Sequence, residues 1–141
     1  MKKAIVAFLL TICAQTYAVD GCSILKVSVK NDSPSTCYLI ERTVKSGSIH
    51  KRQLYRILSG SKVTQFEIAQ AKNQSASIQV TYECGENHSV SFLSNKGACM
   101  FSNPGKVEGK LVNATNMTAV FTTTEGSYLS EKSALIDWII S

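Results

Sequence analysis

The sequence predicts an all-β fold: an antiparallel β-sandwich of about eight to nine short strands, stapled by two disulfides. Three observations predict it. Apolar residues alternate with polar ones in short runs. Turn residues separate those runs at roughly 8–12-residue spacing. Four cysteines, Cys22, Cys37, Cys84 and Cys99, remain after an N-terminal export segment is set aside.

That segment comes first in the chain. Lys2 and Lys3 precede an apolar stretch from Ala4 to Cys13, and Thr16 and Ala18 stand at the −3 and −1 positions of a cut after residue 18. This is the pattern of a secretory signal peptide, and its brief basic start is of bacterial type. The stretch is too short for a bilayer span, which takes about 20 residues. The sequence thus predicts a signal peptide over 1–18 and a single domain over 19–141, secreted or periplasmic. The remaining 123 residues suffice for one packed core.

The elements follow in order. In 23–30, Leu25, Val27 and Val29 alternate with Lys26, Ser28 and Lys30, as a half-buried strand requires. Asn31 to Ser35 form a turn, since Asn, Asp, Ser and Pro satisfy or fix the backbone locally. A second strand over 37–44 completes an expected hairpin. Segments 53–58 and 63–68 flank Ser59-Gly60-Ser61-Lys62, where another hairpin is expected. Residues 69–77 read as a loop or a single helical turn.

Ile78, Val80, Tyr82 and Cys84 then share one face of a strand, and Val90 and Phe92 point inward after the Gly85–His88 turn. Two further strands are expected near 106–112 and 117–124. In the last, Ile136, Trp138 and Ile140 alternate with Leu135, Asp137 and Ile139, so Asp137 faces out or sits at a sheet edge. The only tryptophan follows all the cysteines, unlike that of an immunoglobulin domain.

An even cysteine count behind an export signal reads as two structural disulfides, which removes the thiolate that a Cys84–His88 dyad would need. Three connectivities are possible. If 23–30 and 37–44 are hairpin strands, Cys22 and Cys37 stand about 25 Å apart at a rise of about 3.3 Å per residue. Bridged Cα atoms lie within about 7 Å. The same objection applies to Cys84 and Cys99 across the Gly85–His88 turn. Strand geometry therefore favours Cys37–Cys84 with Cys22–Cys99.

Charge and motifs narrow the function classes. The chain holds 15 Lys+Arg against 10 Asp+Glu; loss of Lys2 and Lys3 leaves a net +3, divided as +5 over 19–72 and −2 over 73–141. This bias favours anionic surfaces but lacks the basic face and reading module of a nucleic-acid binder. Two separated histidines and no C-x-x-C pair give no metal site, and no motif implies a cofactor. Serine is plentiful, but no G-x-S-x-G elbow or converging triad is written, so no enzymatic activity is expected.

The candidate binding residues are His50, Lys51, Arg52 and Arg56, in the densest basic stretch, and Tyr128 in a loop over 124–132. Arginine forks suit carboxylate, sulfate or phosphate; equally, such charges guard a solvated edge strand. Tyr38, Tyr55, Tyr128 and Trp138 offer an aromatic platform for sugars or headgroups, unless Trp138 is core and Tyr128 a loop anchor. The chain reads as an exported binding protein for a surface molecule: a protein, an anionic glycan or a lipid headgroup, with possible peripheral membrane contact, as a monomer or weak oligomer. Alternatives are a secreted inhibitor of a hydrolase such as a lysozyme or protease, and an envelope or assembly subunit pairing edge strands.

The order of "VSVKND", "LSGSK" before a Phe-bearing strand, and "VTYECG" resembles the small exported sandwiches of the aegerolysin and actinoporin kind, which bind membrane lipids. The resemblance implies a β-sandwich and carries over no functional residue. Two disulfides and the basic stretch 50–56 depart from it.

Overall fold

The computed structural model describes residues 21–51 and 55–141. The expected signal segment and Arg52 lie outside the described residues. Within them run ten strands: β1 (Ile24–Asn31), β2 (Cys37–Ser46), β3 (Ser48–Lys51), β4 (Arg56–Ile57), β5 (Lys62–Ala69), β6 (Ala76–Glu83), β7 (Ser89–Lys96), β8 (Val107–Thr115), β9 (Ala119–Thr124) and β10 (Ala134–Ile140). They form two five-stranded sheets, in the orders β3-β5-β1-β10-β9 and β4-β2-β6-β7-β8. One 3-10 turn, Gly21–Ser23, leads into β1.

Period-two burial explains the two layers. On β6, Ile78, Val80 and Tyr82 are buried while Glu83 is exposed. On β10, Ile136, Trp138 and Ile140 are buried and the residues between them half-buried. Asp137 faces out, yet β10 lies inside its sheet, and the carboxylate is held by Lys62 of β5 at 2.9 Å.

Two expected hairpins do not form. β1 and β2 belong to different sheets, as do β4 and β5, so residues 32–36 and 58–61 cross between layers. Alternation fixes which face of a strand is apolar but not which strand lies beside it. The first crossing is pinned by Asn31. Its amide nitrogen donates to the carbonyls of Ser35 (2.7 Å) and Ile57 (3.0 Å), and its oxygen accepts from the Ser33 amide and hydroxyl. Of the expected strand over 53–58, Gln53 and Leu54 lie outside the described residues; Arg56–Ile57 form β4, Tyr55 and Leu58 lie outside it, Ile57 is buried and Leu58 exposed. The sandwich is antiparallel except at β1 and β10, which run parallel.

The hairpin around Gly85–His88 does form, joining β6 to β7, and Cys84 N donates to His88 O at 2.8 Å. Cys84 is bonded to Cys37, and Cys22 to Cys99. One bridge therefore closes each end of the sandwich. They span 47 and 77 residues, and in the chain-entropy account each stabilises the fold by about 4 kcal/mol. Two such bridges place the chain in an oxidising compartment. Among the described residues, no helix is long and apolar enough to cross a membrane.

The core is an aromatic row between the sheets. Tyr82 stacks on Phe92 (6.0 Å), Phe92 on Trp138 (4.3 Å), and Trp138 meets Phe121 (4.8 Å). Trp138 is fully buried, and its indole N–H donates to Ser94 Oγ at 2.9 Å, so the ring is core rather than platform. Burial pushes the Tyr82 phenol far above its usual range, and the nearby Gln65 side chain offsets this only in part. Opposite the indole, β8 presents Gly109. A Cβ there would lie 2.8 Å from both Phe121 Cδ1 and Trp138 Cζ2.

Gly109→Ala is thus an overpacking substitution, expected to cost about 1–3 kcal/mol. Urea unfolding followed by the fluorescence of the single tryptophan, Trp138, should show a lower midpoint at unchanged slope.

Candidate functional site

At the end of the sandwich closed by Cys22–Cys99, two turns carry apolar side chains that the core does not use. The first joins β7 to β8. Gly97 N donates to Lys106 O (2.9 Å), and Met100 and Asn103 exchange backbone bonds of 2.7 and 3.0 Å, leaving Phe101 and Ser102 at the apex. Gly105 closes the turn at φ 82°, with the Gly97 carbonyl where a Cβ would stand, so only glycine fits. The second turn joins β9 to β10. Ser127 and Lys132 exchange bonds of 2.9 and 3.0 Å, and residues 128–131 form the apex.

The apices touch. Phe101 and Tyr128 meet edge to face with ring centroids 5.5 Å apart. Phe101 is 76% exposed and Leu129 84%, with Met100 and Tyr128 about half so. A shallow cavity of about 190 Å³ lies between the turns, lined by Phe101, Pro104, Tyr128 and Leu129 among others. Exposed Lys72, Lys106 and Lys132 share this end with Glu125 and Glu131, and Lys106 pairs with Glu108 at 2.7 Å. The rim is therefore near electrical balance around an apolar centre.

The root of the first turn is held as firmly as any part of the fold. Cys99 is bridged to Cys22, and its amide donates to Gln70 Oε1 at 2.9 Å. The same oxygen accepts from Lys96 Nζ at 2.9 Å, and Lys96 also donates to the Gly97 carbonyl at 2.8 Å. Lys96 has no exposed surface, and burial lowers its ammonium to about pKa 8. A buried cation satisfied by amide oxygens fixes the chain on either side of it.

The residues expected to bind from sequence are divided. Tyr128 stands in the apolar tip. His50 and Lys51 are exposed on β3, the edge of one sheet, where Lys51 stands opposite Glu67 of β5 in the strand register. Arg56 is exposed on β4 beside Tyr38, on the same flank but towards the Cys37 end. Tyr38 and Tyr55 lie on that flank as well, and Leu39 N donates to Tyr55 O at 2.8 Å. Tyr38, Tyr55, Tyr128 and Trp138 do not share a surface. Met100, Phe101 and Leu129 were not singled out from sequence. Their signal was present: apolar pairs placed inside turn-residue clusters, "CMFSNPG" and "GSYLSEK", where no strand periodicity claims them for a core.

No protein-family model matches the chain, and no curated protein matches its sequence. Twelve chains of solved structures match its fold. One is the lipid-binding protein Nakanori, with a TM-score of 0.63 and 11% sequence identity, covering 84% of this chain and 71% of that one. At that identity the likeness is one of fold, and it agrees with the two-sheet architecture.

The buried ammonium gives this end a pH signature. The Lys96 pKa is lower in the folded chain than its ordinary 10.5, so between about pH 8 and 10.5 the unfolded chain holds more protons. Stability contributed at this position therefore rises with pH across that window. Thermal melts of the wild type and Lys96→Met should show the wild type gaining on the variant as pH increases from about 8 towards 10.

Proposed function

We propose that the protein is an exported, non-enzymatic binding protein whose target is the surface of a lipid bilayer, entered by the paired turns bearing Met100–Phe101 and Tyr128–Leu129. One observation carries the reading: four apolar side chains, two of them more than three-quarters exposed, converge at one rigid end of a disulfide-closed sandwich. Exposed apolar groups grouped this way mark a contact surface. Rings with an apolar body and a polar tip suit the interfacial zone of a membrane, and Tyr128 is one. The fold likeness to a lipid-binding protein supports the same choice.

Energetics favour insertion over electrostatic adhesion as the main term. Transfer of Phe101 and Leu129 from water contributes about 1.5–3 kcal/mol each at full burial. The tip's charges nearly cancel, so they add little. His50, Lys51 and Arg56 on the flank are assigned a secondary role, drawing the protein towards anionic headgroups or glycans through a field that salt screens.

Co-sedimentation with phosphatidylcholine vesicles, with and without phosphatidylserine, tests this. The double variant Phe101→Ser, Leu129→Ser should lose about a hundredfold or more in partitioning at any salt concentration. Lys51→Ala with Arg56→Ala should lose at most about tenfold, and only at low salt with phosphatidylserine present. Wild-type partitioning by the double tip variant would overturn the proposal.

A further inference from the structure

Exposed sheet edges present unpaired backbone N–H and C=O groups, and proteins guard them with charge, bulges or very short strands. Most of the edges here follow that rule. β3 exposes His50 and Lys51, and its pairing with β5 shifts register between Ile49 and Lys51. In the other sheet, β4 is two residues long, and the β2 edge beyond it exposes Arg42 and Lys45 and is bulged in two places. β8 exposes Glu108 and Lys110, and its pairing with β7 is also bulged.

β9 differs on every count. Its sequence, Ala-Val-Phe-Thr-Thr-Thr, has no charge, glycine or proline. Its six residues pair with β10 in unbroken register, from Ala119 opposite Ile140 to Thr124 opposite Leu135. Val120 is 61% exposed and Phe121 41%. A straight, neutral, β-branched edge is a template for another extended backbone.

We infer that β9 is a self-association edge, at which a second copy of this chain adds its own β9 antiparallel to the first. The occupant is argued from charge and register. Among the described edges, β9 alone offers an approaching strand no charge to desolvate or repel. It also matches itself. Ala119, Phe121 and Thr123 point inward, since Phe121 meets Trp138, and Val120, Thr122 and Thr124 point outward. A two-fold axis through Phe121, perpendicular to the sheet, keeps inward opposite inward. Phe121 then faces its twin, Val120 faces Thr122, and Ala119 faces Thr123. The exposed valine and the half-exposed ring are covered, and two five-stranded sheets become one of ten. Such an interface is isologous and closes at the dimer.

The inference stands apart from the bilayer reading and is measured without lipid. Sedimentation equilibrium of the purified protein should show the apparent mass doubling as concentration rises. Thr122→Lys should stay monomeric over the same range, because a lysine at 122 would be brought against an apolar outward neighbour and its own symmetry mate. In the single copy it sits beside Asp137 of β10 and is tolerated, so Trp138 fluorescence and Tm should be unchanged. Val120→Lys repeats the test from the adjacent outward position. Oxidising a mixture of Val120→Cys and Thr122→Cys proteins should give a cross-linked heterodimer, since those positions face each other. A wild type that remains monomeric at every concentration, a Thr122→Lys protein that dimerises like it, or open-ended growth in place of a dimer would each overturn the inference.

Discussion

The parallel pairing of the first and last strands is the constraint from which the functional end of this molecule follows. β1 lies between β5 and β10, and its partners on the β10 side run from Leu25–Ala134 to Asn31–Ile140. Parallel neighbours start at the same end of a sheet. The residues that lead into β1, with Cys22, and the turn that leads into β10, with Tyr128 and Leu129, are thereby forced together. An antiparallel β10 would send that turn to the opposite end, away from Phe101. The pairing is non-local, joining opposite ends of the described chain, and its closure entropy must be met before the sheet is complete. The two disulfides, one per end, offset part of that cost.

What the pairing brings together, the root of the β7–β8 turn makes rigid. Apolar side chains on loose loops would collapse onto the protein or lose ordering entropy at each encounter. Here the backbone either side of Met100–Phe101 is fixed by the Cys22–Cys99 bridge, by Gln70 joined to the Cys99 amide, and by Lys96 tied to Gln70 and Gly97. A fully buried ammonium with no carboxylate partner among the described residues is a costly choice for stability alone. Its hydrogen bonds are directional, and they hold one register of the turn, which an apolar replacement would not do.

Strand positions were legible wherever burial is one-sided. β6 and β10 announce themselves by period-two alternation, and their inward residues are those the sequence marks. The bridges were legible too, though by an argument half of whose premises failed. Cys84 and Cys99 are separated by a true hairpin. Cys22 and Cys37 are separated because β1 crosses to another sheet, which leaves them at opposite ends all the same. Sheet membership was not legible, because Asn31–Ser35 and Ser59–Lys62 have the composition of hairpin turns and serve as crossings. What distinguishes them is the reach of the Asn31 side chain to Ile57, a contact between positions far apart in sequence. Of the tip, Tyr128 was legible as a loop aromatic. Phe101 and Leu129 gain meaning only when two distant turns are laid side by side.

The insertion of β10 between β1 and β9 also leaves β9 as an uncharged outer strand, so one topological fact underlies both the tip and the edge. Their geometries constrain each other. Antiparallel pairing of β9 with its twin reverses the second copy, so the two apolar tips of a dimer point in opposite directions. A single bilayer can then engage only one of them, and dimerisation adds no avidity on one membrane. Two facing surfaces could each take a tip, with the ten-stranded sheet as the spacer between them. Binding strength on isolated vesicles therefore reads the tip alone, while any bridging between vesicles reads the tip and the edge together.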